Sequence, residues 1–272
     1  MVDRGHGAVL VREVTMTRGS DQWAVQFCVV LTLTLSGAAI AELNDTGASK
    51  CWSDSAMATT GVETDSGTHP RQDCRYGRDA AATAGVLPKV GGGSAGFDFS
   101  KIANDGSVLS ESTVLGNGDK DWACTRDNVT GLVWEVKTTS GLRHYLHTYS
   151  VLRSDGVGTA SAGACESIGR CDTLKFVQDV NASRLCGASD WRVPSVTELE
   201  GIVSHESANF VDLTYFPNSS VGSYSPYLTS SAHAYTYSST ALWFVDFTAG
   251  RTSFDPDVTG KVASVRLVRD GR

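Results

Sequence analysis

Fourteen residues constrain the fold more than any other stretch: Cys186-Gly187-Ala188-Ser189-Asp190-Trp191-Arg192-Val193-Pro194-Ser195-Val196-Thr197-Glu198-Leu199. Pro194 precedes a cap position at which the Ser195 hydroxyl can accept from free backbone N–H groups. Glu198, three residues on, completes a capping box. Leu199, Ile202 and Val203 then give a short helix one apolar face. Cys186 offers half a disulfide and Trp191 a buried ring. The block dictates local structure and names no reaction.

The amino-terminal residues read as targeting rather than fold. An apolar run, Phe27 to Leu35, follows Arg18, and Ala39-Ile40-Ala41 places small residues where a signal peptidase inspects. Residues 1–41 are therefore read as a signal peptide, with Met16 the better start and cleavage before Glu42. An uncleaved anchor is the weaker alternative, because the run is short and broken by Thr and Ser. No other segment is long and apolar enough to span a bilayer. The removed part carries three acids (Asp3, Glu13, Asp21) and three arginines (Arg4, Arg12, Arg18), so the net charge of −7 is unchanged. An acidic chain of this kind argues against a nucleic-acid partner. Basic residues do gather near the end, at Arg251, Lys261, Arg266, Arg269 and Arg272.

Cysteine usage agrees with export. Cys28 departs with the signal, leaving Cys51, Cys74, Cys124, Cys165, Cys171 and Cys186, an even set that predicts three disulfides. Fifteen pairings are open. Cys51–Cys74 is favoured because both lie in the Gly/Ser/Thr-rich part, and Cys165–Cys171 with Cys124–Cys186 is preferred for the rest. A zinc site is disfavoured, since there is no CxxC and no histidine at ligand spacing.

Residues 42–120 are poor in large apolar side chains and form an extension expected to pack on the remainder, 121–272. Within the extension only Gly96–Phe99 and Ser107–Leu109 look strand-like. In the second part a strand is predicted over Gly131–Lys137, entered from a turn at Asp127–Thr130. A helix is predicted from Asp172 to about Leu185, then the Ser195 helix. A strand over Ala241–Phe247 turns at Thr248–Gly250 into Arg251–Asp255, and Ser264–Arg269 closes the chain. Strands and helices are segregated rather than alternating, which predicts an α+β fold, mainly antiparallel, with two short helices.

These residues carry a family pattern. D-N-x-T-G-L-x-W-E-V-K (127–137), C-G-x-S-D-W-R-x-P-S-x-x-E-L (186–199), Tyr215-Phe216-Pro217-Asn218, Ala241-x-Trp243-x-Val245-x-Phe247-x-x-Gly250 and Val265-Arg266-Leu267-Val268-Arg269 occur in order. Together they resemble the bacterial domain of unknown function 1566, also named for the C-terminal domain of the Legionella collagen-like adhesin. The resemblance spans about 121–269. It implies an exported bacterial protein with a C-type-lectin-like fold, related also to the formylglycine-generating enzyme. In the named adhesin the domain binds sulfated glycans and trimerises. This chain departs from that adhesin in lacking a Gly-X-Y tract and in being acidic.

The Glu-Pro-Asn and Trp-Asn-Asp signatures of calcium-dependent sugar-binding lectins are missing. Asn117, Asp119 and Asp121, like Asn104-Asp105-Gly106, read as polar turns rather than calcium loops. His144 and His147 lack an HExxH frame, His205-Glu206 reads as a helix end, and no GxSxG occurs. No catalytic residue, metal or cofactor is therefore expected. Trp134, Trp191 and Trp243 read as core, and Arg192 and Arg266 as structural arginines paired with Asp190, Glu135 or Glu198.

Gly222–Thr240 differs in character. Tyr224, Tyr227, Tyr235 and Tyr237 stand with His233 among Ser, Thr and Ala, the composition of adaptable recognition loops. Covering a sheet edge is the competing use of these tyrosines. The expected ligand site is this loop with Arg251 from the next hairpin. The expected function is a non-catalytic exported module recognising glycan or surface protein. A structural or assembly role in the envelope is the alternative, and homo-oligomerisation stays open.

Overall fold

Asp127 organises the first hairpin. In the computed structural model, which describes residues 44–51, 71–207, 209–219, 226–234 and 240–271, its carboxylate accepts from the Val129 and Thr130 amides and from Thr130 Oγ1. Gly131 follows at φ +76°, a left-handed position natural to glycine. The turn joins β2 (Trp122–Asp127) to β3 (Leu132–Glu135). β1 (Phe99–Ala103) and β9 (Val268–Asp270) flank them in an antiparallel sheet of order β1-β2-β3-β9. β1 comes from the extension, which also sends Phe97 and Phe99 into the core. The strand starts three residues later than Gly96. Ser107–Leu109 forms only an isolated bridge, Val108 to Ile102. Two short helices, α1 (Asp73–Tyr76) and α2 (Arg78–Thr83), were not expected.

The described residues belong to one unit, Ala41–Arg272; residues 1–41, expected to be a signal peptide, lie outside them. The protein is α+β, mainly antiparallel, with short helices and three disulfides: Cys51–Cys74, Cys124–Cys186 and Cys165–Cys171. No helix among the described residues is long and apolar enough to cross a membrane.

The helix α3 (Thr173–Ala182) is capped by Asp172, whose carboxylate accepts from the Lys175 amide at 2.9 Å, and it buries Phe176 and Val180. It stops short of Leu185 because Arg184 turns left-handed at φ 53°. Leu185–Gly187 then form a single 3-10 turn that brings Cys186 to Cys124 in β2. In α4 (Val196–Glu200) the capping box is closed in both directions: Ser195 Oγ accepts from the Glu198 amide, and Glu198 accepts from the Ser195 amide. Arg192 grips the same carboxylate with two bonds of 2.8 and 2.7 Å. Ser195→Ala is expected to lower stability by about 1 kcal/mol, read as a fall in urea midpoint at unchanged slope. A loss below a few tenths would mean that Arg192 alone holds the turn.

Two further ladders complete the molecule. β4 (Tyr149–Ser150) pairs with β8 (Val262–Ala263), and β5 (Tyr227–Ala232), β6 (Leu242–Asp246) and β7 (Arg251–Asp255) form a three-stranded sheet. The closing strand expected over 264–269 is instead shared among ladders. Val262–Ala263 joins β4, Ser264 bridges Tyr227, and pairing with β3 begins only at Val268. Between them Arg266 is driven into the core, fully buried, where it donates to the Glu135 carbonyl and to Ser219 Oγ. Glu135 is equally buried; its carboxylate accepts from Lys137 Nζ and the Leu267 amide, both at 2.9 Å. Arg192 and Arg269 stay nearer the surface, on Glu198 and Asp190 respectively.

Candidate functional site

Alternation along β6 separates its side chains. Leu242 and Phe244 enter one core, and Val245, with Phe247 beyond the strand end, enters the other. Trp243 shares the Val245 face but lies one pair further along, half-buried and opposite Phe254 of β7 in register. Phe254 is 41% exposed. The His233 ring stacks on Phe254 at 3.8 Å between centroids and 8° between planes, and meets Trp243 at 4.5 Å. Trp243 and Phe254 touch edge to face at 5.8 Å. The His233 amide donates to the Ala241 carbonyl, which anchors the ring at the strand ends. The result is a three-ring surface on the end of a small sheet. Such rings offer apolar faces with polar edges, the chemistry that binds the C–H face of a sugar or an apolar peptide side chain.

The expected site residues are dispersed by the fold. His233 is in the cluster. Tyr224, Tyr235 and Tyr237 lie outside the described residues. Tyr227 is fully buried in β5, edge-on to Phe247 at 5.1 Å and beneath the Arg266 guanidinium. Its ring belongs to the core and is not offered to a ligand at the surface. Arg251 opens β7 three residues from Phe254, about 10 Å along the strand and on the other face. There it faces Asp246 at 3.8 Å, so it does not join the rings.

Trp243 and Phe254 were missed as surface residues. Their signal was present in the hairpin register: a turn at Thr248–Gly250 that pairs Asp246 with Arg251 necessarily pairs Trp243 with Phe254. An apolar strand concealed that Trp243 lies beyond the reach of the core.

Other polar sites are already committed. A groove of about 780 Å³ passes Lys89, Glu206 and Asp212. Lys89 Nζ is held by the Gly93 and Ala95 carbonyls, Asp212 accepts from Ser94 and Thr214 amides, and Glu206 from the Lys50 amide. His144 and His147 lie 5.2 Å apart between ring centroids. Among the described residues, one set of metal-type ligands converges, Asp45, Asp73 and Asp79, with oxygens within 4.8 Å of one another. These acids come from three separate segments, and no sequence motif links them.

Comparison with known proteins gives one family. The profile described as the Lcl C-terminal domain matches residues 123–269, which take in β2 to β9, α3 and α4. No curated protein and no solved structure matches.

Proposed function

The chain belongs to the Lcl C-terminal domain family, and on that premise we propose that it is an exported, non-catalytic binding module that recognises glycan through the His233–Trp243–Phe254 face. The observation that carries this reading is the aromatic cluster at the end of the three-stranded sheet, where Phe254 is 41% exposed with the His233 and Trp243 rings against it. The neighbouring sequence adds Tyr235 and Tyr237, two and four residues after His233. Three disulfides and the family membership are consistent with an exported protein. With a net charge of −7, recognition rests on stacking rather than on attraction to sulfate.

A glycan array on the oxidised protein at low and moderate salt tests the proposal. A salt-insensitive hit is expected, weakened about tenfold by Phe254→Ala, roughly the value of one aromatic contact. Phe254 is 41% exposed and packs on two rings, so that change should cost about 1 kcal/mol of stability, and the array is run well below the variant's melting temperature. A hit that fades with salt and ignores Phe254→Ala would sink the stacking mechanism. A blank array, with concentration-dependent oligomers lost in Phe254→Ala, would favour an assembly role in the envelope.

A further inference from the structure

Asp45, Asp73 and Asp79 meet where the 44–51 segment, α1 and α2 converge. Asp73 opens α1 and Asp79 is the second residue of α2. The Cys51–Cys74 bond joins the first segment to α1 immediately beside Asp73. Asp79 is 0% exposed and Asp45 only 6%. The Gly96 amide is shared between them, donating at 2.8 Å to both Asp45 Oδ2 and Asp79 Oδ1. Asp73 Oδ2 accepts from Thr46 Oγ1 at 2.6 Å. Asp79 Oδ2 is buried and has no hydrogen-bond partner.

This is an unstable arrangement as three bare anions. A buried carboxylate oxygen without a donor forfeits its hydration for nothing, and two adjacent carboxylates raise the cost. Something positive must sit among the oxygens, either a proton or a cation. The donor set is all carboxylate oxygen, which suits hard divalent ions and not zinc or copper. Oxygens that share a calcium at about 2.3–2.6 Å stand at most about 5 Å apart, whereas the magnesium distance of about 2.0–2.1 Å caps the span near 4 Å. The oxygens here lie within 4.8 Å of one another, and a largely buried set of three protein carboxylates suits calcium, since magnesium keeps several waters and takes one or two carboxylates.

We propose that Asp45, Asp73 and Asp79 form a calcium site, with the orphan Oδ2 of Asp79 as its innermost ligand. The ion clamps the 44–46 turn to α1 and α2, and the Gly96 amide fastens the same carboxylates to the loop leading into β1. The site is independent of the aromatic face and lies outside the residues that the family profile covers.

The test uses the full, oxidised protein, stripped with chelator and titrated with calcium chloride near pH 7.5 by calorimetry. One calcium per chain is expected, with a rise in melting temperature of about 5–10 °C at a hundredfold excess over the dissociation constant. Asp79→Asn keeps the side-chain shape and an oxygen for the Gly96 amide but removes the charge; it should weaken calcium at least tenfold. Should that variant misfold, Asp45→Asn reads the same loss. A flat titration with an unmoved melting temperature, alongside an Asp79→Asn variant more stable than the wild type, would assign the charge to a proton and overturn the site. Preference for magnesium over calcium would overturn the choice of ion.

Discussion

Glu135→Ala should destabilise the protein by about 3–5 kcal/mol, the usual cost of removing one partner from a buried ion pair. The Glu135 carboxylate is the acceptor for Lys137 Nζ and for the Leu267 amide, and all three residues are buried. Lys137 is 3% exposed, and burial already holds its ammonium below its ordinary value, opposed chiefly by the Glu135 charge. Arg266 adds a second buried cation against the Glu135 carbonyl, over the Phe216 ring at 5.1 Å. Without the carboxylate, two cations face each other across a core with no anion. Glu135→Gln restores an acceptor for Leu267 but no charge, and should fall between wild type and alanine. Joint replacement, Glu135→Leu with Lys137→Met, should recover a large part of the loss, since a matched apolar pair has nothing to desolvate. Urea unfolding at constant slope gives each value. A Glu135→Ala loss below 1 kcal/mol would mean that Lys137 is neutral in the native state and that the pair is only a hydrogen bond.

The second large effect is topological. Cys124–Cys186 closes 62 residues and ties β2 to the 3-10 turn after α3, while Cys165–Cys171 closes only six. Loop-closure entropy assigns about 4 kcal/mol to the long link and about 2 kcal/mol to the short one. The double variants Cys124→Ala/Cys186→Ala and Cys165→Ala/Cys171→Ala should therefore separate by about 2 kcal/mol in non-reducing urea melts. Burial widens the gap, because Cys124 is fully enclosed whereas Cys165 is half-exposed. Equal losses would argue that native packing around the sulfurs, rather than the unfolded chain, sets the contribution of each bond.

Legibility of the chain followed the range of the forces involved. Ser195 and Glu198, Asp172 and Lys175, and Asp127 with Thr130 act within four residues, so their caps and turns could be read directly. The disulfide pairs present are those preferred from their positions along the chain. β2 escaped notice because its Trp-Ala-Cys-Thr-Arg-Asp run is buried on both faces, apart from the half-buried Arg126, and so shows no alternation. α3 ended early through the left-handed turn at Arg184, which the apolar spacing of its helix face does not announce.

The sequence by itself determined the class of fold, the turns at Asp127 and Thr248, the starts of α3 and α4 and the preferred cysteine pairs, because caps, glycine conformations and cysteine counts are local or compositional quantities. Only the tertiary structure decided that Tyr227 is core while Phe254 is surface, that Arg266 crosses the interior, and that Asp45, Asp73 and Asp79 share one pocket. Burial and electrostatic coupling depend on which distant segments meet. That meeting is set by packing the whole chain at once, which no window of neighbouring residues records.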